Sequence, residues 1–264
     1  MTERELMLTS ILECDRTALY AQPLALSADQ QAQLLQMETR RAANEPLQYI
    51  LGYTEFMGFH INVDPRVLIP RPETELLVEN IVQWAVQQHH SDGLRILDVG
   101  AGSGNIAIAL AKHLPRAQVL SLDISGDALS VARSNARLND VATRINFVQF
   151  DCGEFVENYS ELENHFDIIV SNPPYIATAA MNDLPADVKQ EPVLALDGGE
   201  DGLKFYRALL VGARRFLKQG GYLACEFGDG QKEVLTELLN KNAYTHFVFS
   251  NDLAGKPRFF SVQV

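Results

Sequence analysis

From Leu94 to the carboxyl terminus, short apolar runs recur at intervals that leave room for helices: RILDVG, QVLSLD, INFVQF, FDIIVS and YLACEF, then HFVFS and RFFSVQ. Alternation of this kind predicts an α/β fold built on a parallel, doubly wound sheet. The last two runs are separated only by Asn251 to Pro257. That stretch is too short for the crossover a parallel pair needs, so one of the two strands is expected to run antiparallel.

The amino-terminal part follows a different rhythm. Residues 1 to about 52 carry apolar positions at helical spacing, Leu6, Leu8, Ile11 and Leu12 first, then Leu34, Leu35 and Met37. Ser27 and Gln30 stand where a capping box would open the second group. A small helical domain over 1–52 is expected. Residues 53–72 alternate apolar and polar positions around Gly58, which predicts a β-hairpin and a proline-braced connector. A helix from Pro72 to Gln88 turns Leu76, Leu77, Ile81 and Trp84 inward, closed by the polar stretch His89 to Gly93, and opens the large domain of residues 73–264. No repeat or low-complexity segment interrupts this plan.

Candidate chemistry concentrates where predicted strands end. The run Ile168–Ser171 stops in Asn172-Pro173-Pro174-Tyr175. Two prolines donate no N–H, so nearby carbonyls lose ladder partners and remain available as acceptors. A planar NH₂ group suits them, one hydrogen going to the Asn172 side-chain oxygen and the other to a backbone carbonyl, with Tyr175 over its face. The four residues read as a clamp for an amide or amino nitrogen. Such nitrogens are poor nucleophiles, and acceptors aimed at their N–H bonds favour the charge that develops on nitrogen in the transition state. No general base is required. The segment Ala177 to Pro192, which follows the clamp and lacks clear periodicity, is expected to be a mobile loop over the substrate.

The first strand of the alternating region leads into Asp98-Val99-Gly100-Ala101-Gly102-Ser103-Gly104-Asn105 and then a helix. Glycines there let the backbone approach a ligand at a helix N-terminus. The spacing is G-x-G-x-G rather than G-x-G-x-x-G, which disfavours a nicotinamide cofactor. Taken alone, it is equally a tight βα turn. Asp123, nineteen residues beyond Gly104, ends the next strand, where a carboxylate can accept from two ribose hydroxyls. Asp151 and Cys152 end the third strand, where an adenine edge would fall. With Asn172, all these positions lie at carboxyl ends of predicted parallel strands, the edge at which open α/β sheets bind ligands.

Composition narrows the field. A formal charge of −12 over 264 residues, with no local basic patch, disfavours a naked nucleic acid partner. Cys14, Cys152 and Cys225 are isolated and the histidines lack ligand spacing, so reduced thiols and no metal site are expected. No apolar run approaches ~18 residues and the first ten residues are partly acidic, so neither a membrane span nor a signal peptide is expected and the location should be cytoplasmic.

The turn and its acidic strand end resemble the class I S-adenosylmethionine-dependent methyltransferases. Further segments sharpen the likeness: Glu45 to Gly52 (EPLQYILG), Leu68 to Glu75 (LIPRPETE), the Asn-Pro-Pro-Tyr run, and Leu196 to Gly202 (LDGGEDG). Together they resemble the release factor glutamine methyltransferases, the PrmC/HemK family. The resemblance implies a Rossmann-like doubly wound sheet with one antiparallel strand near the C-terminus, preceded by a small helical substrate-binding domain. It implies methyl transfer from S-adenosylmethionine to the side-chain amide of the glutamine in the Gly-Gly-Gln motif of class 1 peptide chain release factors, by a monomer. Carried onto this chain, Gly100, Ala101, Gly102, Ser103, Gly104 and Asp123 bind cofactor, with Asp151 and Cys152 beside the adenine, and Asn172, Pro173, Pro174 and Tyr175 hold the glutamine, Asn172 also bordering the cofactor. The family often has Trp or another larger residue where Cys152 stands, and its helical domain is usually longer. A DNA adenine-N6 methyltransferase shares the Pro-Pro-aromatic clamp, but must bind phosphates, against which the acidic composition speaks. A ribosomal-protein glutamine methyltransferase is the nearer alternative, and its connector differs from the LIPRPETE of this chain.

Overall fold

A computed structural model describes residues 1–21, 25–88, 93–151 and 162–264; Cys152 and residues 89–92 of the expected polar closure lie outside them. Four helices come first, α1 (Glu3–Leu12), α2 (Arg16–Ala21), α3 (Ala28–Ala42) and α4 (Leu47–Leu51). Met7, Leu8, Leu19 and Leu34 form their shared core. Ser27 caps α3 as its sequence suggests, accepting from Gln30 N at 3.2 Å while Gln30 Oε1 accepts from Ser27 N at 2.9 Å. Thr2 and Glu5 make an equivalent box on α1.

Strands β1 (Tyr53–Phe56) and β2 (Phe59–Asn62) pair antiparallel through a two-residue turn, Met57-Gly58, with φ of 51° and 78°. Two positive φ values give the turn whose twist matches a hairpin, and Gly58 adopts its share without strain. Helix α5 (Pro72–Gln87) starts on its proline, buries Leu77 and Ile81, and leaves Leu76 and Trp84 half-buried, Trp84 stacked on Tyr222.

The large sheet then builds from β3 (Arg95–Val99), β4 (Gln118–Asp123), β5 (Ile145–Gln149), β6 (Phe166–Ser171), β7 (Leu217–Glu226), β8 (Phe247–Asn251) and β9 (Pro257–Gln263). Its spatial order is β5-β4-β3-β6-β7-β9-β8, parallel as far as β7, with β9 antiparallel to both neighbours. The expected reversal is therefore β9, reached through a link with no room for a helix. Helices α5, α6 (Asn105–His113) and α7 (Gly126–Leu138) supply one core layer; α8 (Lys204–Phe216) and α9 (Lys232–Lys241) supply the other. With both faces covered, β3 and β6 are buried almost throughout, which explains their near-continuous apolar sequence.

The stretch expected as a loop over residues 177–192 is instead folded into short 3₁₀ turns, Thr178–Asp183 and Val188–Gln190, with Val193–Ala195 following. Glu191 anchors it: buried, its carboxylate accepts from Ile69 N at 3.0 Å and pairs with Arg71. Single 3₁₀ turns bury no continuous face, so they leave no helical period to read.

Candidate active site

The chain reverses its sheet order between β3 and β4 on one side and β6 on the other, leaving a crevice beyond the carboxyl ends of the strands. Its walls are the turn after β3, Asp123 ending β4, Phe150 and Asp151 after β5, and Asn172 to Pro174 after β6. The predicted site residues therefore meet at one cavity, except Cys152, which lies outside the described residues, and Gly104 and Tyr175, which are not among the lining residues.

The glycine turn is shaped by its neighbours. Gly100 and Ala101 donate N–H groups to Leu122 O at 2.9 and 2.8 Å, and Gly104 opens α6 with φ of 82°. A Cβ at Gly104 would lie 3.1 Å from that of Ala132, whereas one at Gly102 would meet nothing within 4 Å. The first glycine lets α6 and α7 approach, and the second leaves the cavity open. Asn135, buried on α7, donates to Ser103 O at 2.9 Å and so fixes the far end of the turn.

Asp123 accepts from Gly102 N at 2.8 Å and from Ser125 N at 2.9 Å, so one carboxylate joins the turn to the start of α7. Burial pushes its carboxyl up, against the pull of those backbone donors. Each oxygen keeps a lone pair for a further donor. Below the turn, Asp98 is fully buried; Ser121 donates to its Oδ2 at 2.7 Å, and Oδ1 has no partner among the described residues. Burial pushes Asp98 up to about 7. Asp123 and Asp151 make this edge of the crevice suited to a ligand carrying hydroxyl donors.

On the opposite wall, Asn172 donates from Nδ2 to Thr74 Oγ1 at 3.1 Å, and Thr74 donates to Glu226 Oε2 at 2.6 Å. The Asn172 oxygen is thus left for another donor. Tyr175 lies behind this wall: its ring packs on Gly228, where a Cβ would sit 2.9 Å from Tyr175 Cδ2. Burial pushes its hydroxyl up, with the Glu226 charge next in effect.

A model of the methyltransferase domain matches residues 90–256, and one of the PrmC N-terminal domain matches residues 2–52. The release factor glutamine methyltransferase of Moorella thermoacetica is 46% identical over 222 residues, which cover 84% of this chain and 76% of that protein. Its counterpart from Geobacter sulfurreducens is 39% identical over 258 residues, covering 97% of this chain and 87% of the relative. The chain belongs to the release factor glutamine methyltransferase family. The fold also superposes on the catalytic domain of hMettl16 solved with MAT2A 3'UTR hairpin 1, over 99% of this chain and 91% of that one, at a TM-score of 0.61 and 15% identity. At that identity the likeness speaks for the fold alone.

Membership fits the doubly wound sheet that the alternating strands predict and the methyltransferase fold that the resemblance implies. What the sequence reading missed is how two of the family's other segments support the residues read as a clamp. LIPRPETE contributes Thr74, and LDGGEDG packs directly behind Pro174 and Tyr175: Ile176 donates to Leu196 O at 3.0 Å and Gly198 to Ile176 O at 2.7 Å. Gln231 completes the support, donating to Tyr175 O at 3.0 Å and Gly202 O at 3.3 Å while accepting from Gly228 N at 2.9 Å. Among the described residues no group of three or more potential ligands could hold a metal ion, and no helix is long and apolar enough to cross a membrane.

Proposed function

We propose that this enzyme transfers a methyl group from S-adenosylmethionine to the side-chain amide nitrogen of the glutamine in the Gly-Gly-Gln motif of class 1 peptide chain release factors, acting as a monomer in the cytoplasm. The observation that carries the reading is the Asn172 oxygen, left free by the bond from Asn172 Nδ2 to Thr74, on the wall of the cavity that also contains the glycine turn and Asp123.

The residues fit the cofactor. Gly100 to Ser103 leave backbone-lined space, Asp123 offers acceptors for ribose hydroxyls, and the buried acid Asp98 beneath the turn favours a cation above it. Asp151 stands where the adenine edge would be held. When bound, S-adenosylmethionine supplies an electrophilic methyl group. Asn172 accepts one N–H of the glutamine amide, the backbone at Pro173 accepts the other, and Pro174 with Tyr175 keeps these acceptors in place. As the amide nitrogen takes up the methyl group it would give up one proton to solvent water, while the Asn172 oxygen and the backbone at Pro173 hold its two N–H bonds. The protein's share is orientation and stabilisation of charge on nitrogen.

Asp123→Ala should weaken S-adenosylmethionine binding roughly ten- to a hundredfold, the worth of a charge-assisted contact. Calorimetric titration checks this, and unchanged affinity would remove Asp123 from the site. The substrate is decided by mass spectrometry after incubating enzyme and cofactor with a release factor, its Gly-Gly-Gln variant and DNA. A methyl group on the release-factor glutamine is expected. Methylated adenine, or another protein residue, with that glutamine unmodified would refute the assignment.

A further inference from the structure

An asparagine can present either its oxygen or its NH₂ group to a ligand, and only the first accepts a hydrogen bond from a substrate amide. What fixes the choice at Asn172 is Thr74, 1% exposed in the first turn of α5. A hydroxyl carries a single hydrogen. Thr74 gives it to Glu226 Oε2 at 2.6 Å, and an ionised carboxylate has no hydrogen to return. Toward Asn172 Nδ2, at 3.1 Å, Thr74 can therefore only accept. The Asn172 amide must turn its NH₂ inward, and Oδ1 is left to the cavity.

We propose that Thr74 is a positioning residue for amide methylation, holding Asn172 in the acceptor orientation through a hydrogen-bond chain whose direction is set by the Glu226 carboxylate. The inference rests on the reading of Asn172 as the acceptor of a substrate N–H. Each bond in such a chain polarises the next, so the arrangement also makes Oδ1 a stronger acceptor.

The direction of the chain is reversible in acid. Glu226 is 3% exposed, and burial pushes it up to about 7; the groups that act on it or face it are Glu73 in the first turn of α5 and Arg71 just before it, Arg258 on β9, Tyr175 after β6, Tyr206 on α8 and Cys225 on β7. Once protonated, Glu226 can donate to Thr74, and the hydroxyl hydrogen is free to turn toward Asn172. The amide then flips and sets its NH₂ against the NH₂ of the substrate. Turnover should fall as pH drops through about 7, and that fall should depend on the Thr74 hydroxyl.

The test compares full-length wild type, Thr74→Val, Thr74→Ser and Asn172→Ala, with a purified release factor as acceptor and saturating S-adenosylmethionine, at several pH values either side of neutrality. Thr74→Val keeps the shape and removes the hydroxyl. It should lower kcat roughly ten- to a hundredfold, leave KM for both substrates within about threefold, and lose the acid limb of the pH profile. Thr74→Ser should retain the limb and stay within about threefold of wild type. Wild-type turnover in Thr74→Val beside an inactive Asn172→Ala would overturn the relay and leave the clamp standing. Equal impairment of Thr74→Ser and Thr74→Val would also overturn it, as a packing effect. Active Asn172→Ala would remove the clamp and the relay together. If Thr74→Val does not fold, Thr74→Ala, which leaves a small void rather than a misfit, is judged by the same outcomes.

Discussion

Asn172→Ala should reduce methyl transfer by on the order of a hundred- to a thousandfold, the loss that follows removal of one preorganised group from a developing charge. Much of the cofactor affinity should remain, because the other contacts assigned to the cofactor lie on the β3 and β4 side of the crevice, whereas Asn172 follows β6. The effect is expected in kcat rather than KM. In the proposed reaction the Asn172 oxygen would accept from the amide hydrogens as they become acidic, so its contribution would be larger in the transition state than in the bound substrate. Alanine also leaves the buried Thr74 hydroxyl without its donor, at a cost of about 1 kcal/mol in stability, too little to unfold a domain of this size. Single-turnover transfer of a labelled methyl group, set beside calorimetric cofactor binding, separates the two quantities. Near-wild-type turnover would show that the clamp argument is wrong.

The sheet was legible because each parallel strand is covered on both faces and spells itself as an apolar run, and the antiparallel β9 followed from a connection too short to cross over. Three strand ends were legible as well: the glycine turn, Asp123 and Asn172 each break an apolar run with a residue type that has a chemical use. Glu226 breaks its own run, YLACEF, in the same way, but Phe227 follows before the Gly228-Asp229-Gly230 turn, so the glutamate does not read as the strand end. Thr74 left a fainter signal. It shares a stripe with Leu77, Val78 and Ile81 at helical spacing, so a hydroxyl was headed for the core and needed partners there. The side-chain direction of Tyr175 was not legible, because the backbone after Pro174 is shaped by residues 196–202 and Gln231, whose contact with it is a product of tertiary folding.

That long-range support yields the other large expected effect. Gly202→Ala should cripple the enzyme although residue 202 is not among the lining residues of the cavity. Gly202 has φ of +73°, and a Cβ there would lie 2.5 Å from the Tyr175 carbonyl oxygen and 2.8 Å from Gln231 Nε2. The left-handed backbone costs an alanine roughly 1–2 kcal/mol, and the overlap a further 1–3 kcal/mol. Two of the atoms in conflict are the donor and acceptor of one hydrogen bond, so relief by moving Gln231 breaks the bond that holds Tyr175. Relief by moving Tyr175 shifts the whole Asn-Pro-Pro-Tyr turn, since two prolines give it little internal freedom. A displacement near 1 Å of a positioning group costs about a hundredfold in rate. Gly230→Ala is the control: φ is +81°, with nothing within 4 Å of the added carbon. It should show the backbone penalty alone, with turnover close to wild type. Thermal melts and kcat measured on both variants decide the matter, and a Gly202→Ala enzyme as active as Gly230→Ala would mean that the 196–202 segment does not set the geometry of the clamp.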